Sequence, residues 1–416
     1  MKIGIFGLSS QSGRAFFADY LSKGYDTWGY ARNSDNGNKV LDAIHGLGGI
    51  YLERPMNKNK EESRFIPLTK NSCVTNDLCY FVQNVDVVII ALPSIYQEES
   101  AQALCDAGIW RRRIPIILSP SRSVASPYLW KILGDRYPIV CFSTCPYSCK
   151  APKPDTSLIK RRKRTWISSL EGDFNPSHIK MLKELFPQAS LSKIPALTSL
   201  NNIGAIFHCA TYLLNYDEIN RRHKSGEIFS FYMDGIASRP DVGEVLEAID
   251  QVRLNIAHSL DVKVFGLKEH AREDVWRKLT NGLRALEAEH EDEVEELRKI
   301  RKLFMEYLNN CVFSAQHWLD LTYGVERIEG ETLSAAIGRT PTYQKNSVPQ
   351  LRYLTEDIPT GLVPFEALAK MQNINCEVVS LIIDKYNQIL GYDIRDKGRN
   401  LREFTKEYLI NYLRGE

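Results

Sequence analysis

The feature that most constrains the fold is a set of short, unbroken apolar runs rich in β-branched residues in the first part of the chain. Three such runs, which end in small polar residues, lie in Val85–Ser94, Ile114–Ser121 and Pro138–Thr144. Unbroken runs of this kind are typical of strands that are buried on both faces of a parallel sheet. Helix-like segments separate them. The pattern therefore predicts an α/β domain in which parallel strands alternate with crossover helices.

The two ends of the chain differ in periodicity. The N-terminal "KIGIFG" predicts a first strand, "RAFFADYLSKG" a helix that stops at Gly24, and "YDTWGYA" a second strand. After about residue 195, helical periodicity dominates in "VGEVLEAIDQVRLNIAHSL", "ALEAEHEDEVEELRKIRKLFMEYLNN" and "CEVVSLIIDKYNQILG". Because 416 residues exceed the usual size of one core, two domains are expected. We predict a parallel-sheet domain over residues 1–195 and an all-helical domain over residues 196–416.

The loop "GLSSQSGRA" lies between the first predicted strand and the first predicted helix. Dinucleotide-binding domains place their phosphate turn here, where backbone N–H groups and the positive helix end meet the pyrophosphate. The usual G-x-G-x-x-G pattern is degraded, so an ordinary strand-to-helix turn remains an alternative. Small serines replace two glycines and offer hydroxyls to phosphate. The candidate cofactor contacts at this turn and after a later buried strand are Gly7, Ser9, Ser10, Gln11, Ser12, Gly13, Pro93 and Ser94.

The end of the second strand indicates which dinucleotide binds. NAD-binding domains commonly place an Asp or Glu there to bond the ribose 2′-OH, whereas this chain has Arg32, Asn33 and Ser34. A guanidinium beside two neutral hydrogen-bonding groups suits a 2′-phosphate. We therefore predict a Rossmann-like domain that prefers NADP(H), with NAD(H) as the alternative. Two alternatives stay open: Asp35 contacts a ribose if the strand ends later, or Arg32 is an ordinary surface arginine.

Composition excludes several classes of function. The chain has 53 basic and 51 acidic residues, a net charge of +2, so bulk attraction to nucleic acid or membrane is not expected. The basic clusters Arg111–Arg113 and Lys160–Arg164 lack interleaved aromatic residues; we interpret them as solvated loops, the second able to attract an anionic substrate. Nine cysteines without C-x-x-C spacing predict no disulfide framework and no metal site. With no signal-like start or long apolar stretch, the expected location is cytoplasmic.

Four stretches in order resemble the opine dehydrogenase family, the group that holds octopine and nopaline dehydrogenases. They are "CFSTCPYSCK", "NNIGAIFHCATYLLN", "FSFYMDGIASRPDVGEVLEAIDQVRLNIA" and "RYLTEDIPTGLVP". The resemblance covers nearly the whole chain, and the last stretch is the most specific. It implies a reductive condensation, in which an α-keto acid, by default pyruvate, and the amino group of an amino acid or aminocarboxylate form an imine that a nicotinamide hydride reduces.

The resemblance also implies catalytic residues. His208, Asp357 and Arg352 match the family's catalytic positions: the histidine exchanges protons with substrate, the aspartate orients its ring, and the arginine binds a substrate carboxylate. Asn202 and Tyr232 are further substrate-binding candidates. A structural histidine, a loop ion pair, a helix cap and aromatic core packing are the respective alternatives. Relatives usually carry proline directly after the histidine, where this chain has cysteine.

Two other functions remain open for the same sequence. The first is a two-domain NAD(P)-dependent reductase of simpler 2-keto or 2-hydroxy acids, which needs no amine. The second is a dinucleotide-binding regulatory protein without turnover. In the preferred interpretation the partners are small-molecule substrates, catalysis takes place in the cleft between the domains, and a helical homodimer contact is the favoured assembly.

Overall fold

The fold is described from a computed structural model that covers residues 1–57, 60–163, 165–265, 309–323, 327–328 and 330–416. The chain folds into two compact units, Met1–Pro195 and Ala196–Glu416. Among the described residues, no helix is both long and apolar enough to cross a bilayer. Most of the acidic-to-basic segment "ALEAEHEDEVEELRKIRKLFMEYLNN", predicted as an amphipathic helix, lies outside the described residues.

The first unit is built on an eight-stranded sheet. Its strands are β1 (Lys2–Phe6), β2 (Asp26–Tyr30), β5 (Cys73–Thr75), β6 (Val87–Ile90), β7 (Ile116–Leu118), β8 (Ile139–Phe142), β11 (Trp166–Glu171) and β12 (Ala189–Ser192). Their order is β12-β11-β8-β7-β6-β1-β2-β5, and neighbouring strands are parallel except for β8 and β11. The predicted parallel α/β domain is confirmed, and the pair β11–β12, which runs antiparallel to the other six strands, is an addition that the sequence did not reveal.

A second sheet in this unit has four strands, β3 (Gly49–Asn57), β4 (Lys60–Pro67), β9 (Tyr147–Lys150) and β10 (Thr156–Arg162). Their order is β4-β3-β10-β9. The basic cluster that was predicted to be a solvated loop therefore begins inside β10, and that prediction is wrong for Lys160–Arg162. The cluster is also only partly solvated, because the Arg162 guanidinium pairs with Asp19, which is 1% exposed.

Helices cover both faces of the larger sheet. They are α1 (Gln11–Ser22), α2 (Asp35–Leu47), α3 (Leu78–Asn84), α4 (Gln97–Asp106), α5 (Ser126–Leu133) and α6 (Pro176–Leu185). Alternate residues of β6 contribute to two different apolar clusters, Val87 and Ile89 to one and Val88 and Ile90 to the other. Because successive side chains of a strand point to opposite faces, this strand is buried on both sides, as its unbroken apolar run predicts.

The second unit is helical, as predicted. Its helices are α7 (Ala196–Leu200), α8 (Ile203–Leu214), α9 (Tyr216–Ser225), α10 (Pro240–Ser259), α11 (Ala315–Tyr323), α12 (Leu333–Gly338), α13 (Arg352–Thr355), α14 (Val363–Met371), α15 (Glu377–Leu390) and α16 (Lys406–Arg414). One short parallel pair, β13 (Val264–Phe265) with β14 (Val312–Phe313), accompanies them. The guanidinium of Arg253 is fully buried here and bonds Asp250 and the carbonyl oxygens of Leu200 and Phe313, which joins α10 to its neighbours.

Candidate active site

Helix α8 and the segment that follows α13 bring His208 and Asp357 together. His208 Nδ1 lies 2.7 Å from Asp357 Oδ2, although 149 positions separate the two residues in the chain. The aspartate side chain is 1% exposed and that of the histidine 19%. The π-helical turn Ile358–Leu362 packs directly on α8, and a Cβ atom at Gly361 would lie 2.5 Å from that of Ala205. Glycine is therefore needed at this position for the aspartate to reach the imidazole.

The aromatic ring of Tyr353 stacks on the imidazole of His208. The ring centroids are 3.8 Å apart and the planes are inclined by 14°. Phe231 contacts both rings at an angle, with centroids 6.2 Å from His208 and 5.2 Å from Tyr353. Burial raises the pKa of the Tyr353 phenol, an effect that Arg352 opposes and Asp357 reinforces. The sequence analysis did not predict a role for Tyr353. The clue it offered was position, because Tyr353 directly follows Arg352 in the most specific stretch of the resemblance.

Arg352 is exposed and lies next to this stack. Its Cζ atom is 5.8 Å from the centroid of the Tyr353 ring, and its Nε donates to Gln350 Oε1 at 2.8 Å. This hydrogen bond uses the Nε side of the planar guanidinium, whose two Nη groups are separate donors. This arrangement presents a planar pair of donors, which matches the geometry of a carboxylate.

Cys209 replaces the proline that relatives usually carry after the histidine. Helix α8 continues through this position without interruption, and Cys209 Sγ lies 3.5 Å from the carbonyl oxygen of Tyr353. The thiol is fully buried. It therefore links α8 to the segment that carries Tyr353. The backbone at this position, which the sequence alone did not define, is regular helix.

The two further substrate-binding candidates, Asn202 and Tyr232, differ in their surroundings. Asn202 is 2% exposed and precedes α8 without a side-chain capping bond. The Tyr232 ring packs on Tyr343, with centroids 4.4 Å apart, and on Phe231, at 5.3 Å. Asn215, at the other end of α8, donates from Nδ2 to two backbone carbonyl groups, so it has a structural role. Among the described residues, no group of three or more His, Cys, Asp or Glu side chains is placed to hold a metal ion.

In the first unit, the turn after β1 is tight and depends on its two glycines. Gly7 has a φ of +96°, and an added Cβ there would lie 2.7 Å from the Leu92 side chain. A Cβ at Gly13 would lie 2.1 Å from the carbonyl oxygen of Gly7. Gly13 thus allows the start of α1 to approach the turn closely, although it stands one position later than the corresponding glycine of the usual motif. The turn has the compact backbone that a dinucleotide phosphate needs.

The serines of this turn bind the neighbouring loop. Ser10 Oγ and Ser12 Oγ lie 2.6 Å and 3.1 Å from the carbonyl oxygen of Ala91, to which both donate. Ser10 also caps α1 by accepting from Gly13 N at 2.8 Å. Ser9 uses its carbonyl oxygen to accept from the Arg14 guanidinium, and Gln11 is exposed. The hydroxyls thus tie together the loops after β1 and β6.

These loops lie at the point where the strand order reverses. Strand β1 lies between β2 and β6, so the chain winds outward from this point in both directions. Pro93 and Ser94 follow β6 and begin the 3₁₀ turn Ser94–Tyr96. Dinucleotides bind in the crevice at such a switch point, outside the carboxyl ends of the strands. The predicted cofactor residues on both loops therefore share this edge of the sheet.

The three candidates after β2 lie in the loop between β2 and α2. Arg32 is exposed, and its Nη1 lies 3.9 Å from Glu99 Oε1, a pair of exposed side chains that contributes little to stability. Asn33 Oδ1 accepts from Asn38 Nδ2 at 2.9 Å. Ser34 caps α2 by accepting from the backbone at 3.2 Å. The strand ends at Tyr30, and Asp35 is the first residue of α2, so the strand does not extend to the aspartate.

Comparison with known proteins identifies the relatives of this chain. Residues 195–287 and 285–390 match the family model described as NAD/NADP octopine/nopaline dehydrogenase, alpha-helical domain. The opine dehydrogenase of Arthrobacter sp. (strain 1C) is 23% identical over 349 residues, which cover 79% of this chain and 78% of that protein. The residues that match the family model include three of the four stretches that suggested this family in the sequence.

Solved structures share the fold over the full length. Octopine dehydrogenase with NADH and L-arginine matches with a TM-score of 0.68 at 17% identity, covering 100% of this chain and 98% of that one. Yersinopine dehydrogenase with bound NADP⁺ matches with a TM-score of 0.58 at 14% identity and the same coverage. The predicted fold class and enzyme class are confirmed, and the predicted opine dehydrogenase family is the one to which the matched family model and these relatives belong.

Proposed function

We propose that this protein is an NADPH-preferring opine dehydrogenase. It joins an α-keto acid, by default pyruvate, to the amino group of an amino acid or related aminocarboxylate. Loss of water gives an imine, and one hydride and one proton reduce the C=N bond to a secondary amine. The single observation that carries the proposal is the His208–Asp357 pair at 2.7 Å, to which Arg352 is connected through the stacked ring of Tyr353. The cofactor supplies the hydride; this chain supplies the proton and the orientation of the substrate.

The imidazole of His208 is proposed to move the proton. Asp357 engages Nδ1, which leaves Nε2 as the nitrogen that faces substrate. In this role the ring gives a proton to the carbinolamine oxygen as water leaves, and it takes a proton from the amine as the C–N bond forms. The stacked ring of Tyr353 and the hydrogen bond from Nδ1 fix the imidazole in two directions. A ring held in this way is correctly oriented before the substrate arrives.

Arg352 is proposed to bind a substrate carboxylate. Its Nε is occupied by Gln350, so the two Nη groups form the edge that a carboxylate meets in a bidentate pair. The exposed position of Arg352 leaves its side chain accessible to a substrate carboxylate. Asn202 and Tyr232 are proposed as further substrate contacts: Asn202 Nδ2 lies beside Gly361 in the turn that follows Asp357, and Tyr232 packs on Phe231, which contacts the His208 ring.

The first unit is proposed to hold the dinucleotide. The hydroxyls of Ser10 and Ser12 are used by Ala91, so the backbone N–H groups of the turn at the start of α1 are the better partners for the pyrophosphate. Arg32 is proposed to bind the 2′-phosphate of NADPH. Support comes from its exposure and from the end of β2 at Tyr30, which leaves no acidic residue at the strand terminus.

The test is to follow oxidation of NADPH with pyruvate alone and with pyruvate plus each of a panel of amino acids. The proposal expects oxidation that depends on both substrates, and loss of most activity in His208→Ala. Oxidation with keto acid alone would instead identify a simple keto-acid reductase. NADPH binding without consumption under any pair would identify a regulatory protein. A homodimer and a cytoplasmic location stay predictions from the sequence.

A further inference from the structure

The smaller sheet of the first unit packs against α1. The ring of Phe16 in α1 contacts that of Tyr147 in β9 edge to face, with centroids 4.8 Å apart, and the Tyr147 hydroxyl donates to the carboxylate of Asp19 at 2.8 Å. Arg162 of β10 pairs with the same buried carboxylate. Because these contacts fix both strands to α1, the loop between β9 and β10, residues 151–155, is held at a defined place along the helix.

The guanidinium of Arg14 joins this loop to the turn after β1. Arg14 is 7% exposed, and it donates from Nη1 to the carbonyl oxygen of Lys153 at 2.6 Å and from Nη2 to that of Ser9 at 3.2 Å. One planar group that bonds both carbonyls keeps the two backbone segments adjacent. Ser9 stands where the second glycine of the usual motif lets the backbone approach the pyrophosphate. Residues 151–155 therefore lie beside the candidate phosphate site.

The turn itself provides no cation for an anionic diphosphate. Residues 7–13 contain no Lys or Arg, and the hydroxyls of Ser10 and Ser12 donate to the carbonyl oxygen of Ala91. The guanidinium of Arg14, the next residue, is directed at backbone carbonyls. The turn therefore offers backbone N–H groups alone, and a cation close to it would strengthen the binding of a diphosphate.

Lys153 is placed to supply this cation. Its side chain is exposed, and within the described part of the chain its ammonium group has no carboxylate partner. Arg14 holds its backbone, and the flanking Pro152 and Pro154 restrict the loop further, which lowers the entropy lost on binding. We propose that Lys153 is a cofactor-binding residue whose ammonium group pairs with the diphosphate of the dinucleotide. The inference rests on the proposed cofactor site, and it gives the smaller sheet a function, which is to carry this loop to the turn.

The test compares Lys153→Met with Lys150→Met. Lys150 is also exposed, but alternate residues of β9 point to opposite faces, so its side chain lies on the face turned away from α1. The dissociation constants of NADPH and NADH are measured by cofactor fluorescence. Lys153→Met is expected to raise both about fivefold or more, because both cofactors contain the diphosphate, and the increase should shrink in roughly 1 M salt, which screens exposed charges. Lys150→Met should bind as the wild type does.

Lys153→Arg keeps the charge and should retain most of the wild-type affinity, and the thermal unfolding temperature should stay the same in all three variants. Wild-type dissociation constants in Lys153→Met, or an equal loss in Lys150→Met, would overturn the inference alone. A loss confined to NADPH would also overturn it, since the contact would then be with the 2′-phosphate. A wild type that binds neither cofactor would overturn the proposed function as well.

Discussion

Replacing Asp357 by asparagine tests whether the carboxylate acts through the imidazole. Asparagine has nearly the same shape, so the packing around a side chain that is 1% exposed is kept, whereas the charge opposite His208 Nδ1 is removed. A hydrogen bond to a charged group contributes about 1.5–3 kcal/mol. If that contribution acts on the rate-limiting step, kcat/KM falls roughly 10- to 150-fold. Thermal unfolding should show that the variant is folded.

The assay is amine-dependent oxidation of NADPH, measured for Asp357→Asn, His208→Gln and the double variant. Because the aspartate is proposed to act only through the histidine, its replacement should cost little once His208 is gone. Asp393→Asn is the control, since this exposed carboxylate of the same unit also makes hydrogen bonds. Wild-type kcat/KM in Asp357→Asn, or the same loss in the presence and absence of His208, would refute the reasoning.

Three further outcomes are expected. Tyr353→Leu should lower kcat about 2- to 10-fold by removing the ring that stacks on His208, whereas Tyr353→Phe should remain near wild type in the same kinetic assay. Arg32→Leu should raise the KM of NADPH about tenfold and leave that of NADH nearly unchanged, as measured by initial rates with each cofactor. Burial alone would raise the pKa of Glu366, but hydrogen bonds led by Arg395 lower it to about 2. Its ionised form therefore stabilises the fold by up to about 3 kcal/mol above pH about 4.5, and this contribution is lost as the pH falls toward 2. Over that pH range, the free energy of unfolding should decline less steeply in Glu366→Gln than in the wild type.

The sequence revealed the strands whose local pattern is strong. The unbroken run that became β6 predicted a strand buried on two faces, because every one of its residues is apolar. The boundaries of α10 likewise follow its helical periodicity and the proline at its first position. These elements could be read because hydrophobic burial imposes the same periodicity on every chain that forms them.

The strands of the smaller sheet in the first unit could not be predicted from apolar patterns. Strand β10 contains the basic residues Lys160–Arg162, and β4 begins with "KEESR", so neither shows the apolar pattern of a buried strand. They are held by pairing with β3 and β9, contacts between distant parts of the chain that local propensity does not encode. The contact of the Cys209 thiol with the carbonyl oxygen of Tyr353 is likewise a tertiary contact that local sequence does not encode.

For the candidate site, the resemblance named residues that the structure brings together, but it did not provide their arrangement. That His208 and Asp357 are neighbours follows from the packing of the turn Ile358–Leu362 on α8, which depends on the absence of a side chain at Gly361. The stacking of Tyr353 is also a tertiary contact. The roles of these residues stay predictions until their variants have been assayed.

The most direct measurement of the central claim uses NADPH that carries deuterium in place of the transferable hydride. The enzyme is incubated with pyruvate and an amino acid, and the products are analysed by mass spectrometry. The account predicts a secondary amine with one deuterium on the carbon that was the keto carbon, and loss of this product in His208→Gln. Deuterium found in a 2-hydroxy acid instead, with the amino acid unchanged, would contradict it.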